Sequence, residues 1–435
     1  MDIIVICSLL LFTVLIFSGV PVPFSFLGAA LLLIATKPYT GDFLLPAGFS
    51  KLNSVVLLAL PFFIATGYLC TGGSISTRLI NFANSIVGRI KGGLGIVAIF
   101  ATCIFSAISG AAASSVVAIG SVMIPEMEKY GYPRGYSTAL ISSAAVIDTL
   151  IPPSIAMIMY AFVTGQSVAA CFIATVGPGF LLAVFFSVAN LIMVRKIPTI
   201  KTPPKIDFQQ AMKNIRHESR QALGALMLPV VIMVGIYGGI MTPTEAAAAS
   251  IFYAIILSRF IYRELTFKEI FLILRSSVSA SGTMMLMTFF AAILSRLYTM
   301  EQLPQQVATT LLGITDNKIL LLIFINIFLI FIGMIMDELS GILLVTPLLF
   351  PVILKIGVDP IHFAAIVGVN LGMGLMTPPM AGIMYIGARV GNVTIDKMMK
   401  PVLILLFCCF LPMVIITTYW PDLSLFLPRL AGLMH

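Results

Sequence analysis

Carboxylates embedded in apolar sequence are the first residues of this chain that could do chemistry. Four of its seventeen Asp and Glu residues lie in apolar surroundings, namely Asp148, Glu245, Asp337 and Glu338. A carboxylate within a membrane segment is costly and by default indicates a function. Asp148 stands four residues before a proline pair, and prolines there free backbone carbonyls. Carbonyls together with a carboxylate suit a hard monovalent cation, so Asp148 is a candidate cation ligand.

The neighbours of the other three carboxylates favour different roles. Thr242, Pro243 and Glu245 have the spacing of a capping box, in which the glutamate accepts a hydrogen bond from the N–H of the cap residue. Asp337 and Glu338 lie at a polar break in an apolar stretch. A loop carboxylate at a water-filled tip is the alternative for both of them. Asp337 is the stronger candidate for a binding site.

Hydroxyl and amide side chains cluster near the same kind of break. Ser106, Ser109 and Ser115 surround a break at Gly110, and Ser109 stands out because Gly110 permits the turn. A serine in a helix more often bonds back to its own backbone or packs against a neighbour. Asn370 precedes a second proline pair and could contact a polar ligand.

The composition excludes a large soluble fold. The chain has 435 residues, of which 60% are hydrophobic and 10% charged, and its mean hydropathy is +1.10. Soluble domains carry about a quarter charged residues. Apolar stretches long enough to cross a bilayer recur from end to end. The first of them, 3–20, has no basic n-region and no small-residue cleavage site, so we interpret it as a mature span.

Signatures of enzymes and of metal clusters are missing from the sequence. It contains no His-Glu-x-x-His, no Gly-x-Ser-x-Gly and no phosphate-binding Gly-x-x-x-x-Gly-Lys-Ser/Thr motif. The six cysteines are scattered through apolar segments and the three histidines are far apart. We therefore expect a protein that is not an enzyme and that draws energy from an ion gradient or a partner.

One basic loop predicts the orientation in the membrane. The net charge is +8, and seven basic residues fall within 195–220: Arg195, Lys196, Lys201, Lys205, Lys213, Arg216 and Arg220. Such loops stay on the cytoplasmic side and can touch anionic lipid. Nucleic acid is not an expected partner, because the stretch lacks interleaved aromatic residues and any module signature.

The apolar runs predict an all-α polytopic membrane protein, because a β-barrel would need ten-residue alternation. Predicted spans lie near 3–36 (interrupted around Gly19–Pro23), 53–71, 134–150, 168–194, 222–240, 243–263, 278–298, 361–376 and 398–419. Residues 92–127 and 319–354 are apolar but broken in the middle. Each predicts a re-entrant helical hairpin, whose irregular backbone needs protein or a watery cavity around it.

These two broken regions match each other as an internal repeat. A shift of 226 residues superposes Ser114 on Ser340, Pro125 on Pro351, Lys129 on Lys355, Gly131 on Gly357, Ala139 on Ala365, Pro152-Pro153 on Pro378-Pro379, and Gly165 on Gly391. Two unrelated hydrophobic hairpins are the alternative. Repeated interrupted segments are the best sequence-level indication of the binding site in a secondary transporter, where the repeats are commonly inverted.

An ordered series of motifs carries a family resemblance. In order they are Leu60-Pro-Phe-Phe-Ile-Ala-Thr-Gly67, Ser106-Ala-Ile-Ser-Gly110, Ile151-Pro-Pro-Ser-Ile-Ala-Met-Ile-Met-Tyr160, Thr242-Pro-Thr-Glu-Ala-Ala247, Tyr262-Arg-Glu-Leu-Thr266, Gly333-Met-Ile-Met-Asp337 and Leu375-Met-Thr-Pro-Pro379. Over essentially the whole chain, this series resembles the large membrane subunit of tripartite ATP-independent periplasmic (TRAP) transporters.

The resemblance implies a sodium-coupled importer of organic acid anions, such as a C4-dicarboxylate or sialic acid, in the bacterial inner membrane. It implies the elevator-type ion-transporter superfold, with two inverted repeats that each contain a re-entrant hairpin and an interrupted helix. A mobile transport domain would move against a scaffold shared with a small four-helix membrane subunit. A periplasmic substrate-binding protein would deliver the substrate.

The resemblance also implies where ions and substrate bind. The implied sodium ligands are Ser106, Ser109, Gly110, Asp148, Pro152, Asp337, Ser340, Gly341, Gly374 and Thr377. The expected substrate contacts are Ser109, Gly110, Ser115, Pro153, Asn370 and Pro379. This sequence departs from the family at two positions, because the family often has an acidic residue near Ser115 and usually has glycine at Asp148. The carboxylate would then have moved from one wall of the site to the other.

The predicted organisation alternates scaffold and transport elements. It comprises scaffold spans with an amphipathic connector (1–91), a first repeat (92–194, hairpin 92–127), a basic cytoplasmic connector (195–220), further scaffold spans (221–300), a second repeat (301–397, hairpin 319–354) and a final span with its tail (398–435). A stand-alone ion-coupled symporter or antiporter of organic anions is the nearest rival. Genes for a small subunit and a binding protein beside this one would argue against that rival.

Overall fold

The computed structural model describes residues 2–39, 41–88, 90–201 and 207–433. Within these ranges the regular secondary structure is helical, without a strand. Eight of the helices are long and apolar enough to cross a membrane. The all-α membrane architecture predicted from the sequence is therefore confirmed. Of the predicted basic connector, residues 202–206 lie outside the described residues, and Lys205 is among them.

The described residues include twenty-one α-helices. The first ten are α1 (Ile3–Phe17), α2 (Val22–Thr36), α3 (Leu44–Leu52), α4 (Ala59–Gly72), α5 (Ile75–Val87), α6 (Gly93–Ser109), α7 (Ala112–Lys129), α8 (Arg134–Ala145), α9 (Ile155–Thr164) and α10 (Val168–Arg195). The others are α11 (Phe208–Tyr237), α12 (Pro243–Ile256), α13 (Phe267–Met300), α14 (Leu303–Ile314), α15 (Lys318–Ile335), α16 (Glu338–Lys355), α17 (Pro360–Met376), α18 (Gly382–Gly391), α19 (Ile395–Leu405), α20 (Leu411–Tyr419) and α21 (Asp422–Leu430).

Both broken apolar stretches are helix pairs that meet at a short turn. Hairpin 1, formed by α6 and α7, turns at Gly110, whose φ of +62° ends α6 in the left-handed conformation. Hairpin 2, formed by α15 and α16, turns at Met336 and Asp337, which are both extended. The two breaks fall at the positions predicted from the sequence, but only hairpin 1 uses glycine to make its turn.

Each hairpin is followed by a helix that is interrupted at a proline pair. The first crossing runs from α8 through Pro152-Pro153 to α9, and the second from α17 through Pro378-Pro379 to α18. Arg134, at the start of the first crossing, donates from Nε to the Gly391 carbonyl at the end of the second (2.6 Å). Tyr160, near the end of the first, donates to the Pro360 carbonyl at the start of the second (2.6 Å). The two crossings therefore run antiparallel.

Two features near the predicted spans stand out. The capping box is confirmed, because Thr242 accepts from the N–H of Glu245 while the Glu245 carboxylate accepts from the N–H of Thr242. Helix α13 extends well beyond the predicted span 278–298, because a second capping box starts it at Thr266 and Glu269. Helix continuity depends on backbone bonding and caps, so it does not stop where apolar sequence stops.

Candidate functional site

A buried carboxylate lies at the centre of the first repeat. Asp148 is part of a tight helical turn that continues α8, and none of its surface is exposed. The hydroxyl groups of Ser106, Ser109 and Ser115 on hairpin 1 lie beside its carboxylate. Neither carboxylate oxygen has a hydrogen-bond partner in the described part of the chain. We call these four residues the hairpin-1 pocket.

Two of the three hydroxyl protons in this pocket are engaged by other acceptors, so that those oxygens can present lone pairs. The Ser106 hydroxyl donates a hydrogen bond to the Thr102 carbonyl (2.8 Å). Ser109 and Ser115 face each other at 3.4 Å, so that one of them donates to the other. A buried charge is tolerated when it is paired or when it coordinates a metal. The pocket therefore collects hydroxyl and carboxyl oxygens in one buried place, which is the kind of ligand set that a hard cation needs.

The tip of hairpin 1 touches the interrupted part of the first crossing. The N–H of Ile155 donates to the carbonyl of Gly110 (3.2 Å). A Cβ atom at Gly110 would lie 2.5 Å from the carbonyl oxygen of Pro153, so this approach requires glycine. The structure thus brings Ser106, Ser109 and Gly110 together with the segment that holds Asp148, Pro152 and Pro153.

Hairpin 2 also carries a carboxylate at its tip, but that carboxylate already has partners. Asp337 caps α16, where its Oδ2 accepts from the N–H groups of both Leu339 (3.1 Å) and Ser340 (3.3 Å). The Ser340 hydroxyl also bonds to Asp337 and contacts the sulfur of Met287 on α13. The Asp337 residue is exposed. Its charge therefore has a structural use as an N-cap in addition to any role toward an ion.

The glycines predicted as second-repeat ligands are packing positions in the structure. A Cβ atom at Gly374 would lie 2.5 Å from backbone atoms of Gly333 on α15. One at Gly341 would lie 3.1 Å from the side chain of Leu371. Close backbone approach leaves no space for a side chain at Gly374. Only the backbone of Gly374 could serve an ion here.

The remaining predicted site residues form hydrogen bonds with groups outside the hairpin-1 pocket. Asn370 is buried and donates to the Oδ1 of Asn326 (3.0 Å) and to the Ile366 carbonyl (2.8 Å). Its own Oδ1 has no hydrogen-bond partner in the part of the chain that the structure describes. Thr377 donates to the Met373 carbonyl (2.7 Å). Pro379 is exposed, and its carbonyl accepts from the hydroxyl of Tyr385 (2.8 Å).

A cavity of about 400 Å³ lies between hairpin 1 and two neighbouring helices. Its polar lining is made of hydroxyl groups from α4, α7 and α13, and its full set of lining residues is Tyr68, Thr71, Gly72, Ala113, Ser114, Val117, Ile273 and Ser276. This volume falls within the range of small-molecule sites, about 300–1,000 Å³. In the part of the chain that the structure describes, no group of three or more His, Cys, Asp or Glu residues could hold a metal ion.

One residue beside the site was not predicted from the sequence. Ser154 caps α9 and donates to the Thr149 carbonyl (2.9 Å), which fixes the backbone just after the proline pair. A serine directly before a helix restart is an N-cap signal that could have identified it. Glu338 on hairpin 2 is a candidate carboxylate from the sequence, but its electrostatic interaction with Asp148 was not predicted. No sequence pattern links residues so far apart in the chain.

Comparisons with known proteins agree over nearly the full length. The family model of the DctM component of tripartite ATP-independent periplasmic transporters matches residues 9–423. The sialic acid TRAP transporter large permease protein SiaM of Vibrio cholerae is 34% identical over 417 residues, which are 96% of each chain. The C4-dicarboxylate TRAP transporter large permease protein DctM of Pseudomonas aeruginosa is 35% identical over 389 residues, 88% of this chain and 89% of that one.

A longer relative and two solved structures extend the comparison. The isethionate TRAP transporter permease protein DctMQ of Oleidesulfovibrio alaskensis is 34% identical over 95% of this chain, which spans 65% of that relative. The Alcanivorax borkumensis YdaH transporter has a TM-score of 0.60 over 88% of both chains. Neisseria gonorrhoeae MtrF has a TM-score of 0.61 over 97% of this chain and 95% of its own. Both are 14% identical and show a shared fold.

Matches of this length and identity, together with eight helices able to cross a membrane, lead to one assignment. The chain belongs to the DctM family of tripartite ATP-independent periplasmic transporters, as a large permease component that crosses the inner membrane several times.

Proposed function

We propose that the chain is the translocation subunit of a sodium-coupled importer of organic acid anions. The observation that carries the sodium coupling is the hairpin-1 pocket, where the buried Asp148 carboxylate has no hydrogen-bond partner within the described ranges. A full negative charge in a low-dielectric site attracts a cation far more strongly than it would in water. Hydroxyl, carbonyl and carboxylate oxygens are the ligands that hard cations prefer. Sodium fits this donor set and the charge.

Ion binding would link the hairpin to the interrupted helix. Ser106, Ser109 and Ser115 belong to hairpin 1, whereas Asp148 belongs to the first crossing. A cation held between them would join both elements and neutralise the charge. In the second repeat, the proposed ion contacts the backbone near Gly374 and Thr377 and the tip residues Asp337, Ser340 and Gly341. There the carboxylate would bind the ion while it remains the cap of α16.

An elevator movement is the proposed mechanism. The hairpins and the two crossings form the transport unit, within 92–194 and 301–397, which would move against the scaffold of 1–91 and 221–300. The bonds Arg134–Gly391 and Tyr160–Pro360 support this, because they tie the two crossings to each other at both ends. The antiparallel direction of the crossings supports an inverted repeat.

Organic acids are the proposed cargo, by analogy with relatives named for isethionate, sialic acid and C4-dicarboxylates. The substrate would contact the hairpin-1 tip and the proline pairs, through Ser109, Gly110, Ser115, Pro153, Asn370 and Pro379. The cavity beside Ser114 offers a passage between hairpin 1 and the scaffold. A periplasmic binding protein and a small four-helix membrane subunit are the proposed partners.

A sodium titration of uptake tests the proposal. In vesicles that contain the chain with its small subunit and binding protein, Asp148→Asn should raise the sodium concentration for half-maximal uptake about tenfold or more. Bonds to charged groups contribute about 1.5–3 kcal/mol, and 1.4 kcal/mol corresponds to tenfold. Asp337→Asn should raise it by less, because asparagine still caps a helix well.

Glu245→Gln is the matched control for this titration. Its carboxylate belongs to the capping box of α12, so the substitution should lower thermal stability modestly without changing the sodium response. An unchanged sodium response in Asp148→Asn would show that Asp148 is structural and would remove the main support for sodium coupling at this pocket. A shifted response in Glu245→Gln would mean that the capping and coupling roles are exchanged.

A further inference from the structure

A second large cavity, which we call the α1–hairpin-2 cavity, lies away from the hairpin-1 pocket. It has a volume of about 460 Å³ and is bounded by α1, α14 and both helices of hairpin 2. Buried side chains such as Phe12 of α1 and Leu348 of α16 form its inner wall. The cavity therefore separates a helix of the proposed scaffold from a hairpin of the proposed transport unit.

The walls of the α1–hairpin-2 cavity are almost entirely apolar. Sixteen of its eighteen described lining residues are hydrophobic, and the other two are Thr13 and Thr310. The Thr13 hydroxyl donates to the Leu9 carbonyl of its own helix (2.9 Å). The Thr310 hydroxyl likewise donates to the Gln306 carbonyl (2.8 Å). Water in a cavity needs several polar partners, so these walls suit neither water nor a polar ligand.

The cavity opens onto the surface that faces the bilayer. Its rim is formed by Phe324, Phe328 and Phe331 of α15, whose spacing places them on one face of that helix. All three are exposed, Phe331 with 53% of its surface. Helix α15 is long and apolar enough to cross a membrane, so its exposed apolar face lies against lipid. The cavity is therefore continuous with the lipid-facing surface of the protein.

The size of the cavity selects among the apolar groups that could reach it from the bilayer. Two turns of a partner helix, about 10 Å wide and 11 Å long, occupy roughly 850 Å³. That is nearly twice the volume of the cavity, which is about 460 Å³. An unbranched hydrocarbon chain is narrower than a helix and needs no hydrogen bond. Bilayer lipids supply such chains throughout the hydrocarbon core that α15 crosses, and a bound chain regains the van der Waals contacts that an empty cavity forfeits.

We infer that the α1–hairpin-2 cavity binds an acyl chain of a membrane phospholipid. The acyl chain enters from the bilayer past the rim phenylalanines and lies against Phe12 and Leu348. It packs between α1 and hairpin 2, where the two elements leave a gap. The cavity shares no residue with the hairpin-1 pocket, so this site does not depend on sodium coupling or on the identity of the cargo.

Fluorescence quenching by brominated acyl chains tests the inference, because the protein contains a single tryptophan, Trp420. In a Trp420→Phe background, Phe12→Trp reports on the cavity wall, Phe331→Trp on the rim, and Phe186→Trp on a buried position of α10. The full-length protein is reconstituted in phosphatidylcholine vesicles with ordinary or dibrominated acyl chains. Although Phe12 is only 2% exposed, we expect Phe12→Trp to be quenched nearly as strongly as Phe331→Trp. Quenching of Phe12→Trp no stronger than that of Phe186→Trp overturns the inference.

Filling the cavity provides a second test that does not use fluorescence. Val307→Phe places an aromatic ring on the α14 wall of the cavity and so competes with the acyl chain for space. A ligand that binds the folded state stabilises it. Phosphatidylcholine added to the detergent-purified protein should therefore raise the melting temperature of Val307→Phe by less than that of the wild type. Ile327→Phe is the matched control, because Ile327 is exposed beside the rim without lining the cavity, and it should respond as the wild type does. Equal responses of all three proteins overturn the inference and leave the proposed sodium coupling untouched.

Discussion

The two hairpin regions match in sequence but use their carboxylates in opposite ways. In the first repeat, Asp148 is buried beside three serines and its carboxylate has no hydrogen-bond partner among the described residues. In the second, Asp337 is exposed and accepts from the N–H groups of Leu339 and Ser340. The 226-residue shift places Gly374 where the first repeat has Asp148, and Gly374 is packed against Gly333 with no space for a side chain.

The difference extends to the walls around each carboxylate position. The second-repeat counterparts of Ser106 and Ser109 are Ile332 and Ile335, and the counterpart of Ser115 is Gly341. The first repeat therefore has an oxygen-lined pocket with an uncompensated charge, and the second has apolar close packing with a capped helix. A buried carboxylate that the chain leaves unpaired is compensated by what it takes up, either a cation or a proton. A charge that caps a helix is compensated by the protein itself.

The largest expected effect comes from altering the turn that only hairpin 1 makes with glycine. In Gly110→Ala the new Cβ would lie 2.5 Å from the Pro153 carbonyl oxygen, at a φ of +62°. Backbone atoms cannot move aside cheaply, so the tip would withdraw from the interrupted helix. Displacement of about 1 Å in a binding geometry can cost on the order of a hundredfold. We expect uptake to fall by about that factor.

The matched variant is Met336→Leu, at the corresponding turn of hairpin 2. Met336 has an ordinary extended backbone, and leucine has a similar volume, so uptake should stay near wild type. Sodium-dependent uptake at matched expression measures both variants. Near-normal uptake by Gly110→Ala would show that the two tips are interchangeable and would remove the contrast between them.

The next largest effect is on thermal stability, which should change in opposite directions at two equivalent positions of the repeats. Asp148→Ala removes an unpaired buried carboxylate, so it should raise the melting temperature in sodium-free buffer. Gly374→Ala adds a methyl group 2.5 Å from the Gly333 backbone, and overpacking of this kind costs about 1–3 kcal/mol. Thermal unfolding of the purified proteins in detergent compares the two.

Sodium provides the second part of that experiment. A ligand that binds only the folded state stabilises it, by about 2.7 kcal/mol at a hundred times its Kd. Added sodium should therefore raise the melting temperature of the wild type and of Gly374→Ala by more than that of Asp148→Ala. If Asp148→Ala melts below the wild type without sodium, the carboxylate holds the fold together and the contrast with Gly374 disappears.

The sequence predicted the architecture better than the bonding around the site. Long apolar runs, polar breaks and proline pairs are local signals, and they identified both hairpins and the capping box at Glu245. The use of Asp337 as an N-cap was also local, because an Asp directly before a helix is a capping signal. The sequence analysis instead weighed Asp337 as a site residue against a loop carboxylate, since its position at a membrane break suggested an ion.

Long-range neighbours could not be predicted in this way. The hydrogen bond from Asn370 to Asn326 joins α17 to α15. It engages the amide group of Asn370, which we expected to contact substrate. The approach of Glu338 to Asp148 crosses from one repeat to the other. Such contacts depend on how helices pack, and periodicity within one helix carries no information about its partner. The predicted ion and substrate roles of the individual residues remain predictions.

The smallest expected effect concerns single hydroxyl groups on the two hairpins. Ser115 contributes one of three hydroxyl groups beside Asp148, so Ser115→Ala removes one ligand and leaves the carboxylate in place. A neutral hydrogen-bonding group contributes about 0.5–1.5 kcal/mol, which corresponds to roughly two- to tenfold in affinity. We expect the sodium concentration for half-maximal uptake to rise by about threefold, with thermal stability unchanged in sodium-free buffer.

Ser340→Ala is the counterpart on hairpin 2 and should show the reverse pattern. The Ser340 hydroxyl bonds to Asp337 and contacts Met287, so its loss should lower the melting temperature slightly through a weaker α16 cap. The sodium response should change less than in Ser115→Ala, because Asp337 still accepts from the backbone N–H groups of Leu339 and Ser340. Equal sodium shifts in both variants would mean that the two hairpins contribute alike to ion binding. The oxygen-lined pocket of the first repeat would then not be the dominant site, despite its buried charge.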